Sequence, residues 1–184
     1  MVNAIRRALK GFLLLPGQAQ AASEAPHLPE MVTYRACALR GYCNKEKKVH
    51  FMLLLGREEA DILRRLRAVI VAGEPPPTSG RYEQGLNLVV FRGVFGSGGY
   101  DLRVRDVRLQ ARQIVVECDF EDPGDGIRTT AGFTQPAAII PLKRLLPGRY
   151  QARLWVRRCC RAASGVHEVN PPAECAKFSF RVRS

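Results

Sequence analysis

The sequence predicts a mostly β domain, an antiparallel sandwich or barrel with one packed α-helix (α+β), preceded by an N-terminal helical or signal-like segment. Three observations carry this prediction. From Leu86 onward nearly every apolar run has strand length and two-residue alternation, and Gly- and Pro-rich turns separate the runs. A single stretch, 57–70, has helical spacing instead, with Ile62, Leu63, Leu66, Val69 and Ile70 recurring on one side. The chain of 184 residues is long enough to bury a core, and its apolar fraction of 46% is ordinary for a globular protein.

The elements follow in chain order. Arg6, Arg7 and Lys10 precede Gly11-Phe12-Leu13-Leu14-Leu15, and Ala19-Gln20-Ala21 has the small residues of a cleavage site, so residues 1–30 read as a secretory signal and linker. Two other readings stay open: an amphipathic helix with Val2, Ile5, Leu9 and Phe12 on one side, and a start at Met31. The signal reading favours an extracytoplasmic address. Residues 31–184 form one β-rich domain, opening with a strand at 32–38 and a short apolar strand at 49–55. In the helix that follows, Glu58, Glu59 and Asp61 occupy the first turn and the arginines come later, as the helix dipole favours. Gly73 ends it, and Pro75-Pro76-Pro77 begins a stiff loop.

Beyond Leu86 the phase of each strand is readable. Leu102 and Val104 alternate with arginines, and Val107 and Leu109 fall out of phase with them, which predicts a bulge near Arg105–Asp106. Ile114, Val116, Cys118 and Phe120 mark a second strand, Pro123-Gly124-Asp125-Gly126 a turn, and 137–141 a short strand. Tyr150, Ala152, Leu154 and Val156 form one face of the cleanest alternation, with Gln151, Arg153, Trp155 and Arg157 on the other. Phe178, Phe180 and Val182 close the chain in the same way.

Candidate chemistry is sparse. The glycine-rich stretch Gly93–Tyr100 fits a phosphate-binding pattern only loosely, and strand signal follows it where a phosphate loop needs a helix N-terminus. Its glycines suit a connection with positive φ, which the chain needs in order to reverse between Phe91 and Leu102. The histidines are His27, His50 and His167; a Cys160–His167 pair has nothing in the sequence to orient it. Glu121, Asp122 and Asp125 are explained by turn chemistry without a metal. These absences argue against an enzyme, and no cofactor or metal is expected. No run of 18 apolar residues provides a transmembrane helix.

The cysteines leave three readings open. Cys37 and Cys43 are close enough for a local bridge, and Cys159 or Cys160 could join Cys175 across a loop containing Pro171-Pro172. Inert thiols are the second reading, with Cys118 as a small hydrophobe in a strand. The third is a zinc site from Cys37, Cys43, Cys160 and Cys175, which the absence of any Cys-x-x-Cys pair disfavours.

Two features point to a partner: the Gly98-Gly99-Tyr100 turn, and the sole tryptophan, Trp155, set between Arg153 and Arg157. Exposed, Trp155 is an aromatic anchor beside guanidiniums; buried, it is core. The net charge of +12 keeps nucleic acid or a ribonucleoprotein as the alternative partner class.

Segment 86–141 resembles the C-terminal domain of PrcB, a subunit of a bacterial surface protease complex. The residues that carry the likeness are the apolar strand Leu88–Phe91, Gly93, Gly98-Gly99-Tyr100, two strands, the Pro123-Gly124 turn, and Thr134-Gln135-Pro136 before an apolar strand. Ser97-Gly98 departs from the Thr that commonly precedes Gly-Gly-Tyr. The resemblance implies a non-enzymatic, often exported domain that binds or stabilises a protease. A weaker likeness, in Gly148-x-Tyr150 and Phe178-x-Phe180, is to the last hairpin of chagasin-type cysteine-protease inhibitors. The Arg-Pro-Trp loop of those inhibitors is absent here, which argues against inhibition.

Overall fold

The computed structural model describes residues 48–143 and 145–184; the readings on residues 1–47, with Cys37 and Cys43, lie outside the described residues. Three sheets are present among the described residues. One joins β1 (His50–Leu55), β3 (Leu86–Phe91) and β8 (Ala137–Pro141) in the order β1-β3-β8. The second runs β2 (Ser79–Arg81), β10 (Gly165–Arg183), β9 (Gly148–Ala162), β6 (Gln113–Pro123) and β5 (Asp101–Gln110). The third is a ribbon of β4 (Phe95–Ser97) and β7 (Ala131–Thr134).

The layering follows from β3. All six of its residues are buried. Leu86, Leu88 and Val90 face the five-stranded sheet, against Leu102, Val116, Leu154 and Phe180 among others. Val89 and Phe91 face α1 (Glu59–Ala72), whose Ile62, Leu66 and Ile70 are spaced to form one buried stripe. A strand covered on both faces is apolar on both, which is why LNLVVF lacks alternation; its one polar residue, the buried Asn87, donates to the carbonyls of Gly56 and Gly85. Gly73, in the left-handed region at φ 70°, ends the helix with its N–H on the Ala68 carbonyl.

The mostly β sandwich with one helix is as expected, and so is the bulge: the β5–β6 register slips between Val104 and Asp106. The pairing, however, is mixed and not wholly antiparallel. β6 and β9 run parallel, from Gln113 beside Gln151 to Pro123 beside Arg161, and β2 runs parallel to β10. Between β6 and β9 the chain crosses to the other sheet as β8, so β9 re-enters from the end where β6 began. Parallel neighbours require such a crossover.

The expected proline-rich loop between Cys160 and Cys175 is not there. β9 turns at Ala163-Ser164 and returns as β10, a strand of 19 residues that absorbs Pro171-Pro172 where the register slips between Asn170 and Ala173. Glu168 pairs with Cys159 and His167 with Cys160, while Cys175 lies beside Leu154 and Trp155. At about 3.3 Å per residue that displaces Cys175 by roughly 13–17 Å from either cysteine, far beyond disulfide reach. The predicted bridge is therefore wrong, and Cys118, Cys159, Cys160 and Cys175 are free thiols. The same displacement removes Cys160 and Cys175 from any common zinc site, and no metal-binding cluster occurs among the described residues. No helix among them is long and apolar enough to cross a membrane.

Candidate functional site

The glycine stretch is built around Arg92, whose residue is 4% exposed. Its guanidinium donates to the carbonyls of Asp101 (2.5 Å) and Glu121 (2.7 Å) and to the Asp122 carboxylate. It also lies 5.0 Å from the Phe95 ring centre, 5.5 Å from Tyr100 and 4.9 Å from Phe120. Phe95 and Tyr100 stack on each other at 4.0 Å. One buried cation thus gathers the aromatic residues of the loop and ties them to the ends of β5 and β6. Burial lowers the Arg92 pKa, and Asp122 opposes that shift.

The loop closes onto the Thr-x-Pro segment. Thr134 donates from its hydroxyl to the Ser97 carbonyl (2.9 Å), Gly98 N–H donates to the Thr130 carbonyl (2.9 Å), and Arg92 N–H donates to the Pro136 carbonyl (2.9 Å). Gly99 sits at φ 87°, the positive φ that the turn requires. A Cβ there would also press on Thr129 and Pro123 at 3.0–3.1 Å. Gly98 is buried, Tyr100 half-buried, and Gly96 and Gly99 face solvent. Beside them Phe133 stands 61% exposed on β7.

The arginine face lies on the outer side of the five-stranded sheet. Trp155 is half-buried there and is not core, since its strand neighbours Leu154 and Val156 take the inner side. Arg153 stacks over the Trp155 ring at 5.8 Å and is held by Glu174. Arg157 grips Asp119 through two bonds of 2.8 and 2.9 Å and reaches Glu168 at 3.1 Å. Arg161 is bonded to Glu121, which raises its pKa, and lies 3.8 Å from Asp101. These pairs hold the arginines flat against the sheet and cover Asp119 and Glu121, both 7% exposed. The face and the glycine turn adjoin: Asp101, immediately after Tyr100, pairs with Glu121, whose β9 neighbour Cys159 is two residues from Arg157.

Cys160 and His167 are cross-strand partners, but the imidazole bonds to Ser164 Oγ at 2.8 Å and no hydrogen bond joins it to the thiol. Burial raises the Cys159 pKa, with Asp119 adding to the shift, and burial pushes Cys118 up to about 12. Both are therefore protonated thiols at neutral pH.

Sequence reasoning missed Arg92 and Phe133. Arg92 reads as a polar strand end, and only the apolar run before it and the glycine after it hint that its side chain has nowhere to go but inward.

No curated protein and no solved structure matches this chain. Residues 86–143, which run from the buried strand β3 through both halves of the Arg92 clasp, match the family model of the PrcB C-terminal domain over 58 of the 184 residues.

Proposed function

We propose that this protein is a non-catalytic protein-binding module that binds or stabilises a protease or a subunit of a protease complex. Its contact surface comprises the Gly98-Gly99-Tyr100 turn, in which Gly99 faces solvent and Tyr100 is half-buried, Phe133 on the adjoining ribbon, and the Arg153–Trp155–Arg157 face. The observation that carries the reading is that the two motifs behind the PrcB likeness, Gly-Gly-Tyr and Thr-x-Pro, close on each other in one clasp within the matching segment. The clasp is closed by hydrogen bonds on both sides of the glycine turn and carries an exposed aromatic, Phe133, and the half-buried Trp155 lies on the sheet face that adjoins the turn. Aromatic and Arg anchors of this kind carry a large share of interface energy.

The test is co-purification with the tagged chain from its native cells, comparing wild type with a Phe133→Ser/Trp155→Ala variant. Neither side chain is core, so the variant should melt within a few degrees of wild type and lose a protease or protease-complex subunit that wild type retains. Retention of every partner by the folded variant would contradict the proposed surface.

A further inference from the structure

The opposite end of the same sheet face carries a second feature. There a cleft of about 300 Å³ lies between β2 and the paired ends of β9 and β10. Its polar lining is Arg149, Arg181 and Arg183 with the hydroxyl residues Thr78, Ser79 and Ser179. Arg181 stands directly opposite Arg149 in the antiparallel ladder and beside Ser79 in the parallel one, and Arg183 stands beside Arg81. Two like-charged cross-strand pairs at one corner are destabilising in isolation. Elsewhere on this face Arg105, Arg108, Arg153, Arg157 and Arg161 all rest on carboxylates. Among the described residues none of the cleft arginines has an acidic partner within the 4.0 Å of an ion pair, and none of the three hydroxyls has a hydrogen bond.

We infer that the cleft is a binding site for a single tetrahedral oxyanion of the phosphate class, free or as a monoester group. Guanidinium forks match phosphate oxygens with paired N–H donors, and the hydroxyls supply further donors within the same cleft. An anion between Arg149 and Arg181 turns their repulsion into two attractions. A single anion fits better than a nucleic-acid strand, which needs stacking rings along a basic groove. The cleft's only ring, Phe180, is buried in the core, and the exposed Phe133 and Tyr82 do not line the cleft.

The test uses the full chain and inorganic phosphate, with chloride at matched ionic strength as the reference. A dissociation constant on the order of 1 mM predicts that 10 mM phosphate raises the melting temperature by about 3–6 °C. An Arg149→Gln/Arg181→Gln variant should lose that rise and, relieved of the repulsion, melt in chloride at or above the wild-type temperature. Phosphoserine in place of phosphate distinguishes the sources: an equal or larger rise indicates a monoester ligand, a smaller one the free ion. A phosphate effect that is absent, or unchanged in the variant, would overturn the assignment. So would a short single-stranded DNA that binds the wild type more than a hundredfold more tightly than phosphate and loses that binding in the variant, because the cleft would then belong to a polyanion surface.

Discussion

Arg92 is the residue on which the loop region depends. A buried guanidinium is tolerated because two carbonyls, one carboxylate and three rings receive it, and removing it leaves the two carbonyls without this donor. Arg92→Leu should therefore cost roughly 1–3 kcal/mol for each carbonyl left without its donor, read by chemical denaturation, while water takes up the Asp122 carboxylate, which is 39% exposed. Arg92→Lys should recover only part of this, since an ammonium cannot span the fork of acceptors. Gly99→Val should cost on the order of 1–2 kcal/mol or more, from positive φ and from contact with Thr129 and Pro123. An unchanged melting temperature for the Gly99 variant would refute the strain argument. Gly99 was legible because a chain reversal within a few residues calls for positive φ. Arg92 was not, because its acceptors are backbone atoms 9 and 29 residues away, which leave no mark in composition or periodicity.

At the scale of elements, the β9–β10 hairpin shows how far alternation can be trusted. The inward set Tyr150, Ala152, Leu154 and Val156 and the bulge near Arg105 were readable, because each is a statement about phase within one strand. The first half of β10 was not readable. Two prolines and exposed polar residues read as a loop, yet among the described residues the part of β10 before Arg181 pairs with no strand but β9, and at such an edge prolines are tolerated at bulges and discourage pairing with other chains. That misreading produced the disulfide expectation. Peptide mapping without reductant should find no bond among Cys118, Cys159, Cys160 and Cys175. In the native protein at pH 8 the exposed Cys175 should react with a thiol reagent well before the buried Cys118 and Cys159. The Cys118 shift also sets a pH dependence. The folded state holds the thiol proton up to about 12 and the unfolded chain releases it near 9.0. The stabilisation is thus full below 9.0 and falls as pH rises toward 12, by about 1.4 kcal/mol per pH unit from this group. A Cys118→Ala variant should lose stability less steeply than wild type over pH 9–11.

For the whole molecule, three layers leave one broad surface with two characters. The helix and the three-stranded sheet cover each other, so the outer face of the five-stranded sheet is the large polar expanse. Its middle is neutralised by ion pairs and adjoins the Arg92 clasp, and its far corner is uncompensated arginine. The net charge of +12 therefore describes no uniform basic stripe on this face, and a reading from totals could not separate the paired from the unpaired arginines. The clasp was partly visible through Gly-Gly-Tyr and Thr-x-Pro, but that these motifs meet in space, with Phe133 beside them, depends on β4 and β7 pairing across some 35 residues of chain. The central claim is that this end of the molecule holds a protease-associated protein. The most direct measurement places a photo-crosslinking amino acid at Ser97, Phe133, Trp155 or, as a control on the helix, Arg65, and identifies the captured molecules from native cells. The account predicts that the first three positions capture the same protease or protease-complex subunit and that position 65 does not. Capture of such a subunit only from position 65, or of nucleic acid alone from the other three, would contradict it.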